Sequence, residues 1–334
     1  MTLSRREGCP MRQANIVFEA FEEARLRAPH LECRALAALL DCSEGEIQAS
    51  RLGRGVHSLT LTPCDLVMML PQLGQVQMVT RTAHAALSSR LKDYRIDADQ
   101  RHASIRDHQA LAMQLLLPCW YWVCLSREAP TPGAAPVPCL QVFDRFGRVL
   151  HQLYGLTPEA AGWTLLEYFA GLKTPGFTRC IDIASTCTEG HRPALLKSWR
   201  AMRDTGDFSR LLSHHRLKRV EANRAVAGHF STPLPRERFI MALAGACRRT
   251  QPTRASLIHA GGAHHHRTCF HHFHQGHHDI LRLESDHLTL SLDSSALHEA
   301  WQVVRPGPEG LVTSLEAFDA SGEMMLALDL AECG

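Results

Sequence analysis

The sequence lacks the features of membrane-spanning, secreted and cysteine-rich metal proteins. No window holds about 18 uninterrupted apolar residues, so no transmembrane helix is predicted. The first residues contain no apolar core followed by a small-residue cleavage site, which predicts no signal peptide. The 12 cysteines include no C-x-x-C pair, and a chain of 334 residues is not a short disulfide scaffold. We therefore expect reduced thiols in a cytoplasmic protein.

An excess of one charge is also missing. The chain has 36 Lys and Arg against 34 Asp and Glu, a formal net charge of +2. This balance argues against a nucleic-acid binder that relies on bulk positive charge, although a local basic pocket stays open. The length is comfortable for two domains.

The most informative feature that is present is an internal repeat. The stretch CLQVFDRFGRVLHQLYG (139–155) is echoed by SLEAFDASGEMMLALDL (314–330), with Phe-Asp-x-x-Gly at an offset of 175 residues. Period-two strands around Asp and Gly predict a β-hairpin at each place. Trp122 and Trp301, upstream of the two hairpins, form a second echo. Together these matches predict two homologous halves.

The remaining pattern gives a coarse order of elements. Apolar periodicity predicts helices first, a Pro-rich loop between two strands, a linker and then mostly strands from residue 256. The predicted helices are 12–27, 32–52, 158–172 and 192–228, the predicted loop is 129–138, and the predicted linker is 173–190.

Several segments resemble the haemin-degrading factor family of the HemS/ChuS type, which contains two HemS/ChuX-type repeats. The resemblance covers nearly the whole chain, and its most specific part is AWQVVRPGPEGLVTSLEAFDASGE near the end. The other matching segments are RALAALLDCSEGEIQASRLG, VQMVTRTAHAAL, CLQVFDRFGRVLHQLYG and RDTGDFSRLLSHHRLKRVEANR.

The resemblance implies an α+β fold of two tandem homologous halves, each a large antiparallel β-sheet with packed helices. It places a first repeat at 1–172 and a second at 191–334, with the linker at about 173–190. It also implies a haem cleft between helices of one half and the sheet of the other. In such a cleft an imidazole binds the iron and basic side chains neutralise the propionates.

The chain departs from the family where the family is most specific. The segment resembling D-T-H-x-F is DTGDF here, so Gly206 stands at the ligand position and offers no donor atom. The segment resembling D-L-R-x-F has Gln114 in place of the Arg. Arg219 does match a basic residue of the family pocket. The chain also stops at Leu330–Gly334, where the family continues with a basic tail and a further helix.

The resemblance therefore predicts cofactor-binding positions on the second half and one strand of the first. His214 and His215 lie too far from Gly206 along a helix to reach iron placed as in the family. His215 nevertheless matches a histidine that the family often has. The predicted haem-site positions are Arg219, Gly206, Gln114, His215 and Arg305.

The stretch from His259 to His278 holds nine histidines among its 20 residues. We expect HHH (264–266) in a loop before the first strand of the second sheet, and His272 and His274 on one face of that strand. Three interpretations stay open: a solvated loop with weak metal affinity, a replacement haem ligand, and a dedicated non-haem metal site. The candidate metal ligands are His264, His265, His266, His272 and His274.

Three functions remain. The first is a cytoplasmic haem-binding protein of iron acquisition, whether or not it degrades haem as an enzyme. The second is a non-catalytic carrier of haem or a transition metal that uses the histidine stretch, and the third is a degenerate paralogue without haem function. The expected cofactor is haem. The expected partners are an inner-membrane haem importer or a haem oxygenase, with no nucleic acid and no membrane insertion.

Overall fold

The computed structural model describes residues 10–29, 31–107, 111–131, 133–179, 192–203, 205–276, 279–307 and 310–330. Its helices are α1 (Pro10–Arg27), α2 (Cys33–Leu39), α3 (Glu44–Ser50), α4 (Pro63–Met69), α5 (Ala161–Glu167), α6 (Arg192–Arg200), α7 (Thr205–His215), α8 (Arg219–Ala225) and α9 (Arg236–Arg248). Its strands of the first half are β1 (His57–Leu59), β2 (Val76–Arg81), β3 (Ala85–Leu91), β4 (Arg95–Ala98), β5 (His102–Arg106), β6 (Leu111–Leu116), β7 (Trp122–Glu128), β8 (Val137–Phe143), β9 (Val149–Gly155) and β10 (Ala170–Gly171). Those of the second half are β11 (Ser231–Leu234), β12 (Pro252–His259), β13 (Gly262–Cys269), β14 (His272–Gln275), β15 (Ile280–Glu284), β16 (Leu288–Asp293), β17 (Glu299–Gly307), β18 (Gly310–Phe318) and β19 (Met324–Leu330).

The predicted α+β class with two large antiparallel sheets is confirmed. One sheet has the strand order β10-β1-β7-β8-β9-β2-β3-β16-β15-β14, and the other has β11-β17-β18-β19-β12-β13-β6-β5-β4. Apart from β10, the two orders are the same once each strand is replaced by its counterpart from the other half. The sequence pattern did not predict that three strands of each half complete the sheet of the other, as when β3 pairs with β16 and β6 with β13.

The two hairpin turns have the same geometry, which confirms the repeat. The backbone N–H of Gly147 donates to the carbonyl of Asp144, and the N–H of Gly322 donates likewise to that of Asp319, each at 3.0 Å. Each Asp carboxylate also accepts backbone N–H groups two and four residues later. The glycines have φ of 75° and 78°, which suits residues without a Cβ atom.

A helix in each half obeys the same offset. The α3 helix begins with a capping box in which the Ser43 side chain accepts from the backbone N–H of Glu46 and the Glu46 carboxylate accepts from that of Ser43. At 175 residues further on, the Glu221 carboxylate accepts from the backbone N–H of Lys218 at the start of α8. The predicted capping of a helix by Ser43 is therefore confirmed.

Three expectations are wrong in detail. The tryptophan echo fails because Trp122 lies opposite Phe143, whereas the residue opposite Phe318 is Glu299 and Trp301 lies two positions further on. The predicted helix at 32–52 is two helices, since α2 ends before Asp41, whose φ is positive. The predicted helix at 158–172 is confined to α5, and β10 follows it.

Two compact units make up the chain, and neither is one continuous stretch of sequence. Unit 1 comprises 1–78, 91–103 and 116–180, and unit 2 comprises 79–90, 104–115 and 181–334. The repeat boundaries at 172 and 191 stay a prediction, because residues 180–191 lie outside the described part. Of the predicted linker, 173–179 is described, and its Phe177 ring packs 5.9 Å from that of Trp122 in unit 1. Asp204 and 331–334 also lie outside the described residues.

The core of unit 2 is built from strand alternation and one helix. Leucines of β3, β12 and β16 share a cluster with Phe239 and Leu243 of α9. Within the described residues, no helix is both long and apolar enough to span a bilayer.

The expectation that HHH (264–266) lies in a loop is wrong. These residues belong to β13, which pairs with β12 along its whole length and with β6 on the other side. Because side chains alternate along a strand, His264 and His266 point into the core while His265 points to the opposite face.

The buried histidines are hydrogen-bonded and neutral. His264 is fully buried, with Nδ1 at 2.8 Å from Thr80 Oγ1 and Nε2 at 3.0 Å from Ser89 Oγ. The same hydroxyl lies 3.3 Å from His266 Nδ1. Burial, together with the neighbouring His266, holds the pKa of His264 well below its usual value, and burial lowers that of His266.

We predict that these histidines make the stability depend on pH below neutrality. Since the folded pKa of His264 is lowered, the unfolded chain binds its proton first as the pH falls through about 6.5. Each such proton lowers the free energy of unfolding by about 1.4 kcal/mol per pH unit. Urea denaturation between pH 6.5 and 5 should show a shallower slope for His264→Leu than for the parent, by about one proton. The control His274→Leu changes an exposed histidine and should keep the parental slope; equal slopes for all three proteins would contradict the prediction.

Candidate functional site

One face of the second sheet collects most of the polar side chains of unit 2. Strand alternation directs the apolar residues of β12, β18 and β19 into the core, so the residues between them share the opposite face. The register places these residues side by side. We call this surface the polar face, and its members are Ala112, Gln114, Arg254, Ser256, Ala263, His265, Arg267, Arg305, Ser314, Glu316, Ala327 and Asp329.

A buried carboxylate organises one end of the polar face. Glu316 has no solvent exposure, and its two oxygens accept from Arg219 Nε at 3.0 Å and Nη2 at 2.6 Å. Arg305 Nη1 lies 2.9 Å from the same carboxylate, and Asn223 Nδ2 donates to it at 2.8 Å. Burial alone would raise the pKa of Glu316, but the two arginines and the amide outweigh burial and lower it to about 2. Glu316 is therefore ionised at neutral pH.

The arginine network continues across the sheet. Arg254 donates from Nε and Nη2 to Asp329 Oδ2 at 2.9 and 2.5 Å, and Arg305 Nη2 is 3.7 Å from Asp329 Oδ1. Arg305 is only 4% exposed, and this burial lowers its pKa to about 10, so it still carries its charge at neutral pH. Arg254 is less buried, with 31% of its side chain exposed.

Helix α7 contributes an aromatic ring to the same network. The guanidinium carbons of Arg219 and Arg305 lie 4.9 and 4.6 Å from the ring centroid of the buried Phe208. At these distances the ring attracts both cations. The contact holds α7 against the arginine end of the polar face.

The middle of the polar face is low, and one imidazole rises from it. His265 lies opposite Ser256 on one neighbouring strand and opposite Ala112 on the other, and Ala263 precedes it on the same face. Its Nδ1 is 2.8 Å from Ser256 Oγ. His265 is partly buried, and burial together with Arg254 lowers its pKa to about 4, which keeps the ring neutral near pH 7.

Three of the five predicted haem-site residues come together on or beside this face. Arg305 and Gln114 are members of it, and Arg219 reaches it from α8. Arg219 is bound to Glu316 on both sides of its guanidinium, so its first role is to hold the carboxylate. Gly206 lies in the first turn of α7.

His215 points elsewhere, since its Nε2 lies 3.0 Å from Ser198 Oγ on α6. Its neighbour His214 lines a surface cleft of about 390 Å³ formed by residues of α6 and α7 and the turn between them.

The five candidate metal ligands are not gathered into one site. His264 and His266 face the core, His265 faces the polar face, and His272 and His274 are on β14 in the other sheet. His272 and His274 do share one side of their strand, with stacked rings 6.2 Å apart. Within the described ranges, no three His, Cys, Asp or Glu side chains are close enough to hold a metal ion. Metal binding by these histidines stays a prediction.

Sequence analysis missed Glu316, Arg254, Asp329 and Phe208. A signal existed for Glu316, because it interrupts the apolar run SLEAF at a position that alternation assigns to a covered face. No comparable signal marked Phe208, which the helical pattern places on an ordinary apolar stripe.

We predict that Glu316→Gln destabilises unit 2 by about 3–5 kcal/mol, because it leaves Arg219 and the buried Arg305 without their carboxylate. The measurement is urea denaturation at pH 7 followed by tryptophan fluorescence. Glu323→Gln makes the same chemical change in the exposed pair with Lys218 and should cost less than about 1 kcal/mol. Equal losses for the two variants would show that the Glu316 network does not hold the polar face together.

Comparison with known proteins adds the family. Residues 216–330 match the family model described as the haemin-degrading HemS.ChuX domain. The chain is 27% identical over 326 residues to hemin transport protein HmuS of Yersinia pestis, a match that covers 93% of this chain and 91% of HmuS. It is also 27% identical over 323 residues to hemin transport protein HemS of Yersinia enterocolitica, with the same coverage of each chain.

Solved structures agree on the fold. The haem-binding protein PhuS of Pseudomonas aeruginosa, in its holo form, superposes with a TM-score of 0.85 at 24% identity over 96% of this chain and 94% of PhuS. The haem-degrading enzyme ChuS of Escherichia coli O157:H7 gives a TM-score of 0.85 at 21% identity with the same coverage. The matched domain, the similarity along nearly the whole chain and the shared fold show that this chain belongs to the HemS/ChuS-like family.

Proposed function

We propose that this chain is a haem-binding protein of haem utilisation and that haem lies over the polar face. The observation that carries the proposal is the face itself, where a low, partly open surface lies next to a cluster of arginines. The family supports the choice of ligand, because the two curated relatives are named hemin transport proteins.

The residues of the face fit the chemistry of haem. A macrocycle needs a flat surface, and Ala112, Ala263 and Ser256 are too short to obstruct one. Its propionates need cations, and Arg267 is an exposed arginine two residues beyond His265 on the same strand. Two residues span about 7 Å along a strand, so carboxylates at the rim of a macrocycle centred near His265 are within reach of Arg267.

The chain's own residues have separable tasks in this arrangement. The Glu316 network and Phe208 fix α7 and α8 beside the face and keep Arg305 charged in a buried place. Gln114, exposed at the other side, offers an amide for hydrogen bonding to the bound ligand or to water. When bound, haem itself supplies iron-centred oxygen chemistry, and the protein supplies orientation and exclusion of water.

The finer roles are part of the same proposal. We infer that the chain works in the cytoplasm, where it accepts haem from an inner-membrane importer and either delivers it to an oxygenase or opens the ring itself. Incubation of the haem complex with a reductant and oxygen separates these two outcomes, because ring opening bleaches the Soret band and carriage preserves it.

We predict that a bulky side chain in the low part of the face blocks haemin. Ala263→Phe should weaken haemin binding at least tenfold in a spectroscopic titration, because the ring rises into the space that the macrocycle occupies. The matched control is Ala135→Phe in the exposed loop after β7, which should bind as the parent does. Circular dichroism of the apo proteins checks that both variants fold. Parental affinity in a folded Ala263→Phe protein would place haem elsewhere or nowhere on this chain.

A further inference from the structure

One histidine on the polar face is not explained by packing or by the arginine network. The described strands of this sheet that carry the face are β6, β12, β13, β17, β18 and β19, and among their residues His265 is the histidine that projects from it. His264 and His266 project from the other face, and each is hydrogen-bonded to Ser89 in the core. The sequence therefore places a single imidazole at the centre of this surface.

We propose that His265 is the protein ligand of the haem iron in this chain, bound through its Nε2 atom. The proposal rests on the proposed function, since it needs haem on the polar face. It assigns the iron ligand to strand β13 rather than to helix α7, where Gly206 has no side chain to offer.

The first support is the orientation of the ring. Side chains on a strand stand roughly perpendicular to the sheet, so an imidazole at His265 directs its outer nitrogen away from the backbone. Nδ1 is 2.8 Å from Ser256 Oγ, while Nε2 makes no hydrogen bond to the described residues. Iron-binding histidines in proteins are commonly held in this way, by a partner on the nitrogen that does not bind the metal.

The second support is height. The residues directly across from His265 are Ser256 and Ala112, and the residue before it on the face is Ala263. All three are shorter than an imidazole, so Nε2 stands above its immediate surroundings. A macrocycle bound to Nε2 lies roughly parallel to the sheet and clears these three side chains.

The third support is protonation and charge. A ligand to iron must be the neutral imidazole, and the burial of His265 together with Arg254 favours that form. Across the described part of the polar face, Arg254, Arg267 and Arg305 with Arg219 from α8 give four positive charges against the two of Glu316 and Asp329. This excess suits a ligand that brings two propionates.

Other histidines of unit 2 are less suited. Both ring nitrogens of His264 are engaged by Thr80 and Ser89 inside the core, and His215 is directed to Ser198. His272 and His274 are exposed on β14 in the other sheet. These placements leave His265 as the ligand that the geometry favours.

The test is a haemin titration of the full-length protein, with absorption and electron paramagnetic resonance spectra as the readouts. The variants are His265→Ala and His265→Gln, and the matched control is His274→Ala. Glutamine retains a side chain able to hydrogen-bond to Ser256 but lacks the imidazole nitrogen. We expect the parent and His274→Ala to give the same sharp Soret band and the same histidine-type spectrum. Both His265 variants should bind at least tenfold more weakly, with a broad, shifted band.

Rescue by free imidazole separates loss of the ligand from loss of the fold. Imidazole added to the haemin complex of His265→Ala should restore the parental spectrum, because a small ring can occupy the vacated position. Thermal unfolding of the apo variants, monitored by circular dichroism, should match that of the parent.

The outcomes distinguish the two proposals. If His265→Ala binds haemin with the parental affinity and spectrum, His265 is not the ligand, while haem binding by this chain stands. If the parent itself binds no haemin under conditions where it is folded, both the proposed function and the ligand assignment fail.

Discussion

The polar face depends on one buried carboxylate. Glu316 is enclosed by Arg219, Arg305 and Asn223, so each cation has a partner and the carboxylate has donors for both oxygens. An ion pair of this kind gains little over an apolar replacement, but removing one partner leaves a charge stranded in a medium that cannot solvate it. The arrangement therefore fixes positions more than it adds stability: Arg219 anchors α8, and through Phe208 the same arginines fix α7.

The repeat explains why this carboxylate is where it is. The position that corresponds to Glu316 in the first half is Gln141, which lies in a neutral buried network with Ser126 and Gln152. The backbone register and the bulge beside the following Phe are the same in both halves. The two halves thus share a scaffold, and the second half has replaced an amide by an acid that calls for arginines around it. A duplicated fold can in this way develop a charged face in one copy while the other copy keeps a neutral interior.

The sequence could predict what local rules govern. The Asp-x-x-Gly turns, the Ser43 cap and the strands after residue 252 follow from the chemistry of a few neighbouring residues, and each is present. What failed depended on pairing partners far away. The three histidines 264–266 look like a polar loop, because polarity alone does not show that Thr80 and Ser89 wait inside the core to hydrogen-bond them. The exchange of strands between halves could not be predicted either, since β6 carries no local mark of pairing with β13 rather than with its own half.

The site was half predictable for the same reason. Arg219, Arg305 and Gln114 were found through resemblance, but their partners Glu316 and Asp329 come from strands about 100 residues or less away that only folding brings near. The resemblance also drew attention to Gly206, a position on a helix, and away from β13. A helix places a side chain near a ligand only as firmly as the helix itself is held, whereas β13 is hydrogen-bonded on both edges by β12 and β6. A donor atom on such a strand is fixed by the whole sheet, and the only adjustment left to His265 is rotation of its ring, which Ser256 restrains. Loss of a helical ligand in this fold therefore need not abolish a haem site, provided that a strand of the same face offers an imidazole of the right height.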